Sequence, residues 1–84
     1  PKDAEVHFAL GGLYETRGRL DLAERAYRDA QEANPEFGSA HSALGWLALR
    51  KRQFQDAQEL FSRALKCNDE DPRAYHGIAE LYAI

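Results

Sequence analysis

Residues 38–71 read GSAHSALGWLALRKRQFQDAQELFSRALKCNDED, and this stretch decides the fold because the chain carries it more than once. Displaced by 34 positions the sequence overlaps itself in fifty pairs, and twelve of them are identical. Composition alone gives about three. His7/His41, Leu10/Leu44, Gly11/Gly45, Leu13/Leu47, Ala23/Ala57, Ala30/Ala64 and Asn34/Asn68 are among the matches. Other pairs keep their physical character: Leu20/Phe54, Tyr27/Phe61, Arg17/Lys51, Leu44/Ile78 and Gly45/Ala79. A fixed period of this length marks a stack of structural repeats, each of which buries its apolar side against a neighbour. The chain therefore reads as one domain with repeats at 4–37 and 38–71 and a partial third at 72–84.

Working outward, Val6, Leu10, Leu13 and Tyr14 recur at helical spacing between Ala4 and Thr16, with Asp3 placed as a cap. Gly18 ends that helix in the turn Arg17-Gly18-Arg19. A second helix over roughly 20–33 gathers Leu20, Ala23, Ala26, Tyr27 and Ala30 on one face. Asp21 and Glu24 stand four residues before Arg25 and Arg28, the favourable order for exposed pairs. Asn34-Pro35 closes it, since a residue preceding proline leaves the α region. The second repeat predicts a helix over roughly 37–50 and a fourth with Phe54, Ala57, Leu60, Phe61, Ala64 and Leu65 on one face. Arg52 stands where the first repeat has Gly18, the one local inconsistency in the pattern. Asp71-Pro72 opens a fifth helix as cap and first-turn proline. The expected fold is an all-α solenoid of five helices, two antiparallel pairs and a closing helix.

Composition narrows the function. The 44% apolar and 30% charged content is that of a folded domain, and a net charge of −3 suits neither a phosphate backbone nor an anionic membrane surface. No apolar run approaches the roughly 20 residues of a membrane span, and nothing signal-like opens the chain. Cys67 is the only cysteine, so no internal disulfide forms. A cytoplasmic setting is the expectation.

These residues resemble the tetratricopeptide repeat, a 34-residue helical hairpin with the pattern W-x2-L-G-x2-Y, A-x3-F and P. The first copy reads His7-x2-Leu10-Gly11-x2-Tyr14, Ala23-x3-Tyr27, Ala30 and Pro35. The second reads His41-x2-Leu44-Gly45-x2-Ala48, Ala57-x3-Phe61 and Ala64, with Asp69 at the proline position. The third offers Tyr75-x2-Ile78-Ala79-x2-Tyr82. The resemblance implies a right-handed stack whose first helices line a concave groove for a protein or peptide segment. One subset of the family clamps chaperone-tail carboxylates with lysine and asparagine. The matching positions are Phe8, Gly12, Ala43, Arg73 and Gly77, and only Arg73 carries a suitable charge, so that activity is not expected.

The recurring small residues Gly11, Gly45 and Ala79 fall on the core side of the first helices, where two backbones approach closely. His7 and His41 lie one repeat apart, roughly 8–10 Å, too far for shared ligation at about 2 Å; both read as replacements for a core tryptophan. Cys67 has no base placed beside it and reads as a buried or half-buried structural thiol. Arg50-Lys51-Arg52 is a basic corner in a turn. No catalytic set, metal site or cofactor is expected, and neither is a nucleic-acid or membrane partner.

On a helical wheel the face away from the core stripe Leu10/Gly11/Tyr14 carries Phe8, Gly12, Glu15 and Thr16 in the first repeat. Ser42, Trp46, Leu49 and Arg50 follow in the second, and Arg73, His76 and Glu80 in the third. Of this face, Phe8, Gly12, Ser42, Trp46, Leu49, Arg50, Arg73, His76 and Glu80 line the groove by the resemblance, with Trp46 as anchor for an apolar side chain. A competing role for Trp46 is to fold over Gly12 of the preceding helix. The competing function is structural: a segment of a longer solenoid, or a homodimer formed through Tyr75, Tyr82 and Ile84 of the last helix, with the groove unused.

Overall fold

The computed structural model describes residues 2–83 in five helices: α1 (Lys2–Thr16), α2 (Leu20–Ala33), α3 (Gly38–Arg50), α4 (Phe54–Cys67) and α5 (Pro72–Ala83). α1 packs on α2 and α3 on α4 as hairpins, α2 adjoins α3, and α5 rests on both α3 and α4. Two boundaries differ from expectation. α1 begins at Lys2, so Asp3 lies inside its first turn, where a carboxylate meets the positive end of the helix dipole. α3 begins at Gly38, with Phe37 in the capping position and no side-chain cap.

Both hairpin turns are the same Schellman motif. In the first, Arg19 N–H donates to Tyr14 O (2.9 Å) and Gly18 N–H to Glu15 O (3.0 Å). In the second, Gln53 N–H donates to Ala48 O (2.9 Å) and Arg52 N–H to Leu49 O (3.1 Å). Gly18 has φ +77° and Arg52 φ +62°. Arginine thus takes the left-handed conformation in the second repeat, and the backbone plan overrides the side chain. Between hairpins, Asn34 and Asn68 leave the helix with extended backbones. Their Oδ1 atoms accept from Glu36 and Glu70 N–H, each at 3.1 Å. Asp69 replaces Pro35 without altering that turn. Asp71 caps α5 as expected, its Oδ1 accepting from Arg73 N–H at 3.0 Å.

The core has two parts. Ala23, Tyr27, Ala43, Leu44 and Leu47 form one, with Phe8, Tyr14, Leu20 and Leu60 packed on it. Ala48, Ala57, Phe61, Ala64 and Ala74 form the other, edged by Trp46, Leu49, Leu60, Leu65, Ile78 and Leu81. Gly11 lies against the Tyr27 ring, and Gly45 and Gly77 both lie against the Phe61 ring, each close to its Cε1 and Cζ. A methyl at any of the three would fall inside the ring, so only glycine allows the approach. Ala79, grouped with Gly11 and Gly45 by register, is exposed: among the described residues no helix beyond α5 brings a ring to it. Gly77 is the third small contact instead. α1 departs as well, since Val6, Leu10 and Leu13 are 58%, 41% and 50% exposed rather than core.

Candidate protein-binding groove

α1, α3 and α5 are the first helices of successive repeats, and the side chains between them form the candidate site. Phe8 is half-buried, its ring 5.5 Å from Tyr27 and 5.3 Å from Phe37, and it bridges α1 to the start of α3. Gly12 leaves room for the Tyr27 hydroxyl, 3.8 Å from where a side chain would begin. Trp46 is half-buried and does not fold over Gly12. Its ring stands edge-on to Phe61 (6.0 Å) and His76 (5.6 Å), and its indole N–H donates to Arg73 O at 3.2 Å. The tryptophan is therefore aimed forward, onto α5. Leu49 is half-buried beside it, while Arg50, Arg73, His76 and Glu80 are exposed.

Ser42 does not belong to the accessible face. It is fully buried and donates to Asp71 Oδ2 at 2.5 Å, tying α3 to the cap of α5. The helical wheel placed it outward because a carboxylate 29 residues away leaves no local mark.

Two further residues stand at the centre of the groove: Glu15, which the helical wheel placed on this face, and Tyr27, which the apolar pattern placed in the core. Tyr27 reaches up from α2 beneath Gly11 and Gly12, and its hydroxyl donates to Glu15 Oε1 at 2.8 Å. Burial, and then the hydrogen bond and negative charge of Glu15, hold its ionisation well above the ordinary tyrosine range, while Arg73 and Arg50 pull the other way. Arg50 also approaches Glu15 Oε2 at 3.6 Å. The adjacent glycines of α1 were the available signal, since a doubled gap on one helix leaves space for the tip of a large ring.

The remaining candidates resolve as structure. His41 is buried; its Nε2–H donates to Pro35 O (2.8 Å) and its Nδ1 accepts from Gln31 Nε2 (2.6 Å). Both ring nitrogens are thereby used. His7 is half-buried. Cys67 is exposed rather than buried, although its Cβ lies beside Gly38. The basic run is engaged with acids of the first repeat: Arg50 with Glu15, and Lys51 with Glu24 and with Asp21 at 3.7 Å. On α5, Tyr75 is 53% and Tyr82 82% exposed, and Tyr75 Oη–H donates to Asp69 O at 2.6 Å. Ile84 lies outside the described residues. No helix among the described residues is long and apolar enough to cross a membrane.

A family model for the tetratricopeptide repeat matches residues 15–81. The chain belongs to the tetratricopeptide repeat family, the helical-hairpin scaffolds of protein–protein interaction. No curated protein matches it in a sequence comparison.

Proposed function

We propose that this chain is a protein-interaction module that holds a partner's segment in the groove between α1, α3 and α5, without catalysis of its own. The observation that carries the reading is Trp46. A half-exposed indole, held in place by the Arg73 carbonyl and by two rings, is a rigid aromatic anchor. Leu49 and Phe8 extend its apolar surface, and Arg50, Arg73, His76 and Glu80 supply a polar margin. The test is retention of a partner by the protein. Trp46→Ala should weaken it by about 2 kcal/mol or more, with a much smaller loss of folding stability measured by thermal melting. Equal losses in both would assign Trp46 to packing alone.

A second reading, self-association through α5, is favoured by its two exposed tyrosines, Tyr75 and Tyr82. Sedimentation decides it. A wild type that dimerises, beside a monomeric Tyr75→Glu/Tyr82→Lys variant, supports the reading. A wild type that stays monomeric at millimolar concentration removes it.

A further inference from the structure

A second cleft lies away from the α1–α3–α5 groove, between the second helices α2 and α4. It encloses about 360 Å³ over Leu44 and Ala48 of α3 and the half-buried Leu60 of α4. Charged side chains of α2 and α4 form its walls. The two helices run in the same direction. Gln31, late in α2, meets His41 near the start of α3, whereas Glu24, early in α2, meets Lys51 just before α4. Position along the cleft therefore follows residue number on either wall.

The wall charges are of two kinds. In the middle of each helix they are already paired, Arg28 with Glu24 at 2.9 Å and Arg63 with Glu59 at 2.6 Å. Towards the ends stand Asp56, in the first turn of α4, and Glu32, in the last turn of α2. Among the described residues neither has a cation within ion-pair distance. Four carboxylates and two guanidiniums line the cleft. Lys51 beside it is shared by Glu24 and Asp21, so counting both of these leaves the same balance of two negative charges. Arg52 borders Asp56 from the turn, with no ion pair between them.

We infer that this cleft docks a basic segment of a partner protein, independently of the groove around Trp46. One aliphatic side chain of the segment rests over Leu44, Ala48 and Leu60, and a lysine or arginine on either side of it meets Asp56 and Glu32. Charge and spacing both fit such a segment. The paired charges in the middle cancel, which leaves that part to an apolar residue, and the uncompensated charge at the two ends is negative. Asp56 is the register partner of Leu22, so roughly 15 Å of helix separates its level from that of Glu32. An extended segment covers that length in about four or five residues. Each ion pair is exposed and weak by itself, so the two ends act together with the apolar floor.

Peptides selected from a displayed random library on the whole chain are the probes, with affinity read by fluorescence anisotropy and position by amide chemical-shift mapping. The expected peptides carry Lys or Arg on both sides of Leu, Ile or Val and shift Gln31, Glu32, Gln53 and Asp56. Glu32→Gln and Asp56→Asn should each weaken them about two- to fivefold, and the factors should multiply in the double variant because the two sites share no partner. The differences should shrink in high salt, and the variants should melt with wild type. Enriched peptides without cations, peptides that bind the double variant and wild type alike, or shifts gathered on Trp46 and His76 overturn the inference. An empty selection overturns it too. A wild-type chain that self-associates while the double variant stays monomeric assigns the cleft to a second copy and removes the partner segment.

Discussion

The two complete repeats share a backbone plan, and three matched positions show how far their surroundings pull them apart. Leu47 on α3 is 1% exposed; its counterpart on α1, Leu13, is 50% exposed. Phe61 on α4 is fully buried between two glycines of different helices, whereas Tyr27 on α2 meets one glycine face and sends its hydroxyl into the groove. Arg52 and Gly18 hold the same left-handed backbone with very different ease. Among the described residues the second repeat has a neighbour on either side, and the first has one. Burial in such a stack follows from adjacency more than from the residue, as expected where energies are set by nearest-neighbour contacts.

The largest expected contrast is between the paired leucines. Leu47→Ala should cost about 2–5 kcal/mol, as for a filled core site, and Leu13→Ala about 1 kcal/mol or less. Denaturant melts of the two variants check it. Similar losses would mean that α1 is covered in solution and that the asymmetry is lost there.

The aromatic pair offers a chemical test. Phe61→Tyr would place a hydroxyl at the end of the ring that faces Gly77 and Gly45 and should cost about 1–3 kcal/mol if it finds no partner. Tyr27 behaves oppositely with pH. Its folded-state ionisation lies above the unfolded value of about 10. Above that pH the unfolded chain holds fewer protons than the folded one, so the tyrosine's contribution is intact below about pH 10 and falls as pH rises. Melting temperature should therefore decline in alkali, with a shallower decline in Tyr27→Phe. Equal slopes would show that the hydroxyl is not held as described.

The smallest effect belongs to the turns. Arg52→Gly should raise stability by about 0.5–1 kcal/mol, and Gly18→Arg should lower it by a similar amount. Chemical denaturation of both variants resolves the sign. A destabilised Arg52→Gly would mean that the arginine side chain contributes more than its backbone costs.

The period of 34 made the helices, the turns and the small-against-large packing legible before any coordinates. Arg52 was suspect because only its glycine counterpart revealed the needed conformation. What periodicity could not reveal is anything decided by a neighbour. The wheel angle of Ser42 points outward, yet Asp71 meets it there. Val6 and Leu10 repeat the register of Ala40 and Leu44 without repeating their cover. Trp46 was read against the helix behind it, and its partners are on the helix ahead. Glu15 fell on the groove face by its wheel angle, but its bond to a hydroxyl twelve residues further along the chain left no mark in the pattern.

The bond from Ser42 to Asp71 joins a residue in the middle of α3 to the residue that starts α5. The first turn of a helix ordinarily opens before its middle, and its amide protons exchange with solvent sooner. Here the first turn of α5 cannot open without also stripping a buried hydroxyl of its acceptor. Local opening of that turn is thereby coupled to disturbance of α3, and its amides belong to the same cooperative unit as the second repeat. Among the described residues no buried side-chain bond of this kind reaches the last turn of α5, so the pin acts at the start of the helix.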